Sequence, residues 1–376
     1  MIRICFLIRQ LNVGGAQRQV IELVKELDKS VCSVTVLTFY GGGQLSPEMA
    51  AIPDIRLLSL NKGGRWDVIP FFVRLIKAVR SLQPDVLHGY LGIPNLLCVV
   101  TKPFLKKTRV VWGVRASYKD LKRYDWLTRL TFVLERLLSR FPDLIIANSE
   151  AGKEFYVSQG FPARKTIVVP NGIDTERFHP NPGAGKMLRA QWSIAESESV
   201  IGLVGRLDPR KDHVTFLKAA AILSRDRPSV RFVCVGDGPS AFGQELRALG
   251  EALGLKERLL WIGARSDMAS VYNALDILTS SSSFGEGFPN VVGEAMACGV
   301  PCAVTDVGDS RKVVGEAGLV VVPGDPSQLV DAWKALLDLP ESQRASLGEK
   351  TRARIVDEFG RDILARRTVE ALTRLP

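Results

Sequence analysis

Residues 200–211 read VIGLVGRLDPRK, an apolar β-branched run that ends in a glycine and a basic loop. Such a run, followed by an amphipathic stretch, is typical of a strand in a parallel sheet covered by helices. The same alternation begins at residue 2 with IRICFLI and starts afresh at residue 200. The sequence therefore predicts an α/β protein made of two doubly wound, Rossmann-like units in series.

The predicted elements follow this alternation through both halves of the chain. Predicted strands in the first half are Ile2–Ile8, Ser33–Phe39, Ile55–Leu60, Val86–Gly89, Arg109–Val114, Asp143–Ala147 and Thr166–Val169. Predicted strands in the second half are Val200–Val204, Arg231–Val235, Leu259–Ile262, Ile277–Ser280, Cys302–Thr305 and Gly318–Val322. Predicted helices include Ala16–Lys29, Val68–Leu82 and Trp126–Arg140.

A turn-rich stretch at residues 170–182 marks the junction between the two halves. A chain of 376 residues suits two domains of about 150–200 residues. We therefore expect an N-terminal domain over residues 1–172 and a C-terminal domain over residues 173–358, with a final helix in residues 359–376.

The composition excludes some classes of protein and points to an anionic partner. No apolar run is long enough to span a membrane, and the N-terminus has no signal-peptide pattern, so we expect a cytoplasmic protein. The six cysteines are scattered, which favours buried free thiols. Residues 1–170 hold 25 Lys and Arg against 13 Asp and Glu, so the whole excess of the +10 net charge lies there. A membrane leaflet, a lipid-linked diphosphate or nucleic acid could attract such a surface.

The first candidate anion site is the loop around Gly14 and Gly15, which follows the first strand. Glycines at a helix start let backbone amides approach an anion. The G-x-G-x-x-G dinucleotide fingerprint is absent, which argues against a dehydrogenase. A plain tight turn is an equally good interpretation of this loop.

The second candidate follows the strand at Val200–Val204. Gly205 and Arg206 leave the carboxyl end of that strand, where open α/β sheets bind ligands. Lys211 is expected to open the next helix, where a cation opposes the helix dipole unless an anion is bound nearby. The alternative is a pair of solvated surface cations.

The third candidate is the stretch FGEGFPNVVGEAMACG at residues 284–299. Pro289 suits the first turn of a helix and Gly299 suits its end, so the helix start should present amides to an anion. Glu286 and Glu294 would repel phosphate but could accept hydrogen bonds from sugar hydroxyls on either side of it. The alternative is a capping glutamate and a surface glutamate.

The spacing of Glu286 and Glu294 resembles the E-x7-E pattern of the retaining glycosyltransferases of family 4, also called group 1, which have a B-type fold of two Rossmann domains. Further stretches match the family in order: residues 14–16, 170–174, 205–207 with Lys211, 236–239, 274–276 and 305–308. The resemblance covers nearly the whole chain. It implies two domains that face each other across a cleft, with the segment from residue 359 crossing back to the N-terminal domain.

The resemblance also implies a role for each matching residue. Glu286 would contact the donor sugar, and Glu294 the ribose. Arg206 and Lys211 would grip the donor diphosphate, which Gly15 would approach from the N-terminal domain. The backbone of Gly205, Gly287, Phe288, Pro289 and Asn290 would line the donor site.

Two departures from the family pattern concern the rest of the site. Many relatives have a histidine after the fifth strand, where this chain has Arg115, followed by Ala116 and Ser117. Arg115 could take its place, and His88 on the preceding strand is an alternative. After Gly308 the chain continues with Asp309 and Ser310, where relatives often have a second glycine and a nearby glutamate.

The implied activity is transfer of a hexosyl or N-acetylhexosaminyl unit from a UDP- or GDP-sugar to a saccharide or lipid-linked saccharide, in surface polysaccharide or glycolipid synthesis. The cations of the second domain could replace a divalent ion, so we expect no metal and no cofactor. A nucleotide-sugar epimerase or hydrolase of the same fold remains an alternative. A basic nucleic-acid-binding protein is another, although no recognised binding motif supports it.

Two basic, aromatic-bearing stretches, Trp66–Leu82 and Lys122–Arg140, have the composition of helices that lie on anionic membranes. The alternative is that their apolar faces pack on the sheet. We expect peripheral association with the inner face of the cell membrane and a lipid-diphosphate-linked acceptor.

Overall fold

A computed structural model describes residues 1–115 and 125–375. The chain divides into two compact units. The N-terminal unit comprises Met1–Gly172 together with the chain from Arg361 onward, and the C-terminal unit comprises Ile173–Gly360. The segment expected to join the N-terminal domain from residue 359 therefore begins two residues later, because Phe359 and Gly360 belong to the C-terminal unit.

The N-terminal unit is a parallel sheet with strand order β3-β2-β1-β4-β5-β6-β7. Its strands are β1 Ile2–Ile8, β2 Cys32–Thr38, β3 Ile55–Ser59, β4 Val86–Tyr90, β5 Arg109–Val114, β6 Leu144–Ala147 and β7 Thr166–Val168. Its helices are α1 Gly15–Glu26, α2 Ser46–Ala50, α3 Ile69–Leu82, α4 Gly92–Thr101, α5 Trp126–Leu138, α6 Glu150–Ser158 and α15 Arg361–Thr373.

Both faces of this sheet are covered, which explains its apolar strands. Alternate residues of β1 enter different cores: Ile4 and Phe6 pack with α1 and α15, whereas Cys5 and Leu7 pack with α3, α4, α5 and α6. A strand buried on both sides has a continuous apolar sequence.

α15 is fixed to α1 by packing and charge. Leu364 and Leu372 are buried in the same core as α1. The Arg361 guanidinium lies 3.6 Å from carboxylate oxygens of both Glu22 and Glu26. These contacts explain why the chain from Arg361 onward belongs to the N-terminal unit although the whole C-terminal unit, Ile173–Gly360, precedes it in sequence.

The C-terminal unit is a second parallel sheet, with strand order β10-β9-β8-β11-β12-β13. Its strands are β8 Ser199–Val204, β9 Val230–Val235, β10 Leu259–Ile262, β11 Ile277–Ser280, β12 Cys302–Thr305 and β13 Gly318–Val321. Its helices are α7 Pro182–Gln191, α8 His213–Asp226, α9 Ser240–Ala252, α10 Met268–Asn273, α11 Asn290–Ala297, α12 Ser310–Val314, α13 Pro326–Leu337 and α14 Glu341–Phe359.

Several element boundaries differ from the predicted ones by one to three residues. The helix predicted at Ala16–Lys29 spans Gly15–Glu26, and the one predicted at Trp126–Arg140 ends at Leu138. Residues 122–124 of the second basic stretch lie outside the described residues. All six cysteines are buried and free, as predicted. Within the described ranges, no helix is both long and apolar enough to cross a membrane.

Candidate functional site

The C-terminal unit has a topological switch point between β8 and β11. β8 pairs with β9 on one side and with β11 on the other. The chain proceeds from β8 to β9 and β10 before it returns to the opposite side of β8. Ligands of open α/β sheets bind at such a point, beyond the carboxyl ends of the strands. The loops that follow β8 and β11 carry the second and third candidate stretches.

Lys211 does not open a helix, so that prediction was wrong. It ends a short 3-10 turn, Pro209–Lys211, and α8 begins at His213. Asp212 caps this helix, with Oδ1 accepting from the Thr215 backbone N–H at 3.1 Å. The acidic cap suits the positive end of the helix dipole. Lys211 therefore lies before the helix start, and its side chain points to the loop that follows β11.

The Lys211 ammonium forms an ion pair with Glu286, whose loop follows β11. Ser282 donates a hydrogen bond of 2.8 Å from Oγ to the same carboxylate oxygen. Burial raises the pKa of Glu286, but Lys211 and Ser282 outweigh it and hold the pKa below its usual value. The stem of Lys211 lies against Gly205, where a β-carbon would be 3.4 Å from it. The site thus presents an ionised carboxylate beside a fixed cation.

Arg206 is the more exposed of the two predicted cations. Its side chain is 66% exposed, and Nη2 lies 2.9 Å from Oδ2 of Asp208. Arg210, which the sequence did not single out, pairs with the same carboxylate oxygen at 2.8 Å. The hydrogen bond from Arg210, with both guanidinium charges, holds the pKa of Asp208 far below its ordinary value. Arg206 is anchored to its own loop and leaves most of its surface to solvent.

The loop that carries Glu286 is held by the segment after β12. Gly308 has a φ of +63°, and a β-carbon there would lie 2.6 Å from the carbonyl oxygens of both Glu286 and Gly287. The backbone N–H of Asp309 donates to the Gly287 carbonyl at 3.0 Å. Only glycine permits this approach. Asp309, a departure from the family pattern, therefore braces the Glu286 loop through its backbone.

α11 begins directly after this loop. Pro289 is its N-cap residue and supplies no side-chain cap. Phe288 and Pro289 are buried, and Asn290 is half-buried. The first amides of a helix have no internal carbonyl to bond, so this turn can bind an anion.

Glu294 lies one turn into α11 and is positioned by a tyrosine that the sequence analysis did not identify. Tyr272 on α10 is fully buried and donates a 2.6 Å hydrogen bond to Oε2 of Glu294. Burial and the adjacent Glu294 carboxylate raise the pKa of Tyr272. The feature of the sequence that could have indicated this role is the position of Tyr272 just before the family-like stretch at residues 274–276.

The N-terminal unit has its own switch point between β1 and β4. Gly15 is the first residue of α1 and is exposed. The N-cap residue Gly14 has no side chain to cap the helix. The first candidate loop thus has amides at a helix start, as an anion site requires.

The structure separates the two candidates on the acceptor side. His88 is fully buried, and neither ring nitrogen has a hydrogen-bond partner within the described residues. Burial, helped by Arg115, lowers the pKa of His88 to about 3, so the ring is neutral. Arg115 is half-buried: it donates to Tyr90 Oη at 2.7 Å and to Asn171 Oδ1 at 2.9 Å. Ala116 and Ser117 lie outside the described residues.

Beside this cluster lies a buried carboxyl that sequence reasoning missed. Glu135 on α5 is 3% exposed and accepts a 3.0 Å hydrogen bond from Asn95. Asn95 also donates to the carbonyl of Gly113 at the end of β5, at 3.1 Å. Burial raises the pKa of Glu135 to about 7. The sequence indicates this burial only through the spacing of Glu135, which lies three residues after the apolar Phe132 and so on the same side of the helix.

The chain matches two descriptions of the same family. Residues 13–177 match "Glycosyltransferase Family 4" and residues 198–339 match "Glycosyl transferases group 1". It is 33% identical to a D-inositol 3-phosphate glycosyltransferase of Thermobispora bispora, over 96% of this chain and 90% of that protein.

Two further comparisons extend over nearly complete chains. The chain is 28% identical to N-acetylgalactosamine-N,N'-diacetylbacillosaminyl-diphospho-undecaprenol 4-alpha-N-acetylgalactosaminyltransferase of Campylobacter jejuni, over 97% of this chain and 99% of that one. The fold is similar to that of Anabaena HepE in complex with UDP, with a TM-score of 0.87, 22% identity and full coverage of both chains. With its two Rossmann-like units and ordered motifs, the chain belongs to the group 1 glycosyltransferases of family 4.

Proposed function

We propose that this glycosyltransferase moves a hexosyl or N-acetylhexosaminyl unit from a UDP- or GDP-sugar to a saccharide or lipid-diphosphate-linked saccharide, in surface polysaccharide or glycolipid synthesis. The observation that carries the proposal is the Lys211–Glu286 ion pair, which Ser282 completes at the switch point of the C-terminal sheet. A cation for phosphate and a carboxylate for sugar hydroxyls lie side by side there.

Each group of this site has a proposed role. Lys211 and Arg206 bind the donor diphosphate, together with the amides of residues 287–290 at the start of α11. Glu286 accepts hydrogen bonds from the sugar, and Glu294 from the ribose. Gly15, at the start of α1, is a further amide contact for an anion.

The reaction breaks the bond between the anomeric carbon and a phosphate oxygen, and the electron pair stays on the leaving diphosphate. Cations aimed at that oxygen stabilise the transition state more than the ground state. The acceptor oxygen forms the new bond on the same face of the sugar, and its proton passes to the departing phosphate. The anomeric configuration is then retained. NMR couplings of the product from an α-linked donor measure this, and a β-linked product would contradict it.

The charge on the leaving group is met by side chains, so activity needs no divalent ion. The support is that three cations lie on the loop after β8: Lys211 pairs with Glu286 of the loop after β11, and Arg206 and Arg210 pair with Asp208 of their own loop. Full activity is expected after dialysis against EDTA. Activity that is lost in EDTA and returns with Mn²⁺ or Mg²⁺ would refute this part.

Arg115 is the proposed contact for the acceptor side, in place of the family histidine. It is half-buried, fixed by Tyr90 and Asn171, and lies at the carboxyl end of β5. His88 beneath it is a neutral packing partner of Tyr90, with ring centroids 4.8 Å apart. The Campylobacter relative, named for a diphospho-undecaprenol-linked substrate, supports an acceptor that carries a diphosphate.

The donor is identified by thermal shift with UDP and GDP, followed by sugar nucleotides. A ligand at about 100 times its Kd adds about 2.7 kcal/mol of stability. Product analysis with and without a saccharide acceptor then separates transfer from epimerisation or hydrolysis, which need no acceptor. Stabilisation by neither nucleotide would contradict the proposal.

We also propose that the protein associates peripherally with the inner face of the cell membrane. The support is the concentration of positive charge in residues 1–170, where 25 Lys and Arg stand against 13 Asp and Glu. Anionic lipids attract such segments within a Debye length of the surface.

A further inference from the structure

α5 has an apolar face that none of the cores formed by residues 1–115 and 125–375 covers. Its inner face is buried through Phe132, Glu135 and Ser139. Its outer face exposes large apolar side chains: Trp126, Leu127, Leu130, Val133, Leu134 and Leu137. The exposed Phe141 follows shortly after the end of the helix. Trp126 is 72% exposed and Leu137 is 54% exposed. A surface helix of a globular protein ordinarily has one apolar stripe, and α5 has two.

The exposed side chains of α5 form one continuous stripe. Successive residues of a helix are rotated by about 100°. Four exposed residues therefore project from the same side of α5, opposite to Glu135: Trp126, Leu130, Val133 and Leu137. Residues spaced by three and four lie next to each other on a helix surface. The stripe therefore runs the whole length of the helix and is not a scatter of single exposed residues.

Exposed apolar side chains are concentrated in this part of the molecule. Among the described residues, 22 large apolar side chains are exposed, and 14 of them lie between residues 66 and 141. Residues 173–360 contribute four. The others include Ile69 and Val73 on α3 and Val100 on α4. α3, α4 and α5 pack on the same face of the N-terminal sheet, so their outer surfaces belong to one layer.

The sequence from α3 to the end of α5 is also rich in positive charge. Residues 66–141 hold 14 Lys and Arg against five Asp and Glu. Arg129 and Arg136 are exposed and lie along one border of the α5 stripe, and the exposed Arg140 follows the helix. An apolar face bordered by arginines is the pattern of a helix that lies in the interface of an anionic bilayer.

We propose that the outer face of α5 inserts into the headgroup and acyl boundary of an anionic bilayer, with its arginine border on the lipid phosphates. The second point of contact is the set of exposed apolar side chains before and in the first turns of α3: Trp66, Val68, Ile69 and Val73. This inference rests on the proposed membrane association and names the surface that performs it. A second copy of the chain is a poorer occupant, since an antiparallel two-fold contact through this stripe would place the arginine borders of both copies on the same side.

Vesicle flotation tests the proposal with two matched triple variants. The first replaces the α5 stripe (Trp126→Ser, Leu130→Ser, Leu137→Ser), and the control replaces exposed apolar residues of the C-terminal unit (Met187→Ser, Ile222→Ser, Val356→Ser). The vesicles contain phosphatidylcholine with about 30 mol% of the anionic lipid phosphatidylglycerol. We expect at least about tenfold weaker binding for the α5 variant and binding within about twofold of the wild type for the control.

Two results would overturn the proposal. One is α5-variant binding equal to that of the wild type. The other is a wild-type dimer, detected by analytical ultracentrifugation, that the α5 variant dissociates while vesicle binding is unchanged, because a second copy would then cover the stripe. Quenching of tryptophan fluorescence by brominated lipid should fall in Trp126→Phe. The donor thermal shift of the α5 variant, measured without vesicles, should equal that of the wild type. A missing donor shift in both proteins would count against the transferase proposal and leave this one intact.

Discussion

The phenolic oxygen of Tyr272 donates a 2.6 Å hydrogen bond to Oε2 of Glu294, the carboxylate proposed to bind the donor ribose. Tyr272 is fully buried between α10 and the core, where its ring packs edge-on to Phe178 with centroids 5.8 Å apart. This packing fixes the orientation of the Tyr272 ring, and the hydrogen bond from its hydroxyl in turn fixes the orientation of the Glu294 carboxylate.

Tyr272→Phe should therefore weaken donor binding. A hydrogen bond to a charged group contributes about 1.5–3 kcal/mol, so we expect a donor KM raised about tenfold or more with kcat nearly unchanged. Initial rates over a range of donor concentrations measure both constants. Glu294→Gln keeps an acceptor for Tyr272 and loses the charge, so it reports on the ribose contact itself. A Tyr272→Phe enzyme with wild-type KM would show that Glu294 needs no such support.

Lys211→Ala should lower kcat by about 10²–10³, the usual cost of removing one donor to a developing negative charge. Lys218→Ala is the matched control, because Lys218 is exposed on the neighbouring helix α8. The effects of Lys211→Ala and Glu286→Ala should be less than multiplicative in the double variant, since each removes the partner of the other. Single-turnover rates at saturating donor decide this, and a control as slow as Lys211→Ala would contradict the assignment.

The strands of both units were predictable because β-branched runs mark buried parallel strands whatever their neighbours. The ends of the strands were harder to predict: the sequence predicted a strand at Ser33–Phe39, whereas β2 spans Cys32–Thr38. The end of a strand depends on the partner strand, here β1, to which β2 is paired from Ile2 to Ile8. A single sequence does not contain that register.

The two loops that meet at the switch point were predictable from the sequence, but their contacts were not. Lys211 and Glu286 are 75 residues apart and meet only because β11 returns beside β8. Glu135 was missed because a carboxylate on an amphipathic helix is normally solvated. Its burial follows from the way α5 packs against α4 and β5, which places Asn95 beside it.

Glu135 should make the stability of the protein depend on pH. Its pKa is raised by burial from an ordinary 4.5 to about 7 in the folded chain. The stability gained by keeping the carboxyl protonated is fully present below pH 4.5 and is lost as the pH rises through about 7. Glu135→Gln cannot ionise, so its Tm should exceed that of the wild type at pH 8 and be close to it at pH 5. The difference at pH 8 corresponds to about 3 kcal/mol at most.

The control for this experiment is Glu154→Gln, an exposed carboxylate on α6 of the same unit. It should leave the pH dependence of Tm unchanged. Equal Tm differences at pH 5 and pH 8 for Glu135→Gln would show that Glu135 does not titrate between these values in the folded protein.

Gly308→Ala should damage the donor site more than the fold. Gly308 and Gly324 both have positive φ, +63° and +77°, so alanine at either position pays a similar backbone strain of about 1–2 kcal/mol. They differ in their surroundings: a β-carbon at 308 would lie 2.6 Å from the carbonyl oxygens of Glu286 and Gly287, whereas a β-carbon at 324 meets no atom of the described structure within 4 Å. The clash at 308 must move the loop that holds Glu286 beside Lys211. We therefore expect Gly308→Ala to raise the donor KM at least about tenfold, and Gly324→Ala to lower Tm slightly with unchanged KM. Thermal shift and donor titration on the two variants distinguish the effect of backbone strain from the effect of moving the Glu286 loop. An equal loss of donor binding in both variants would mean that the Glu286 loop does not depend on the close approach of Gly308.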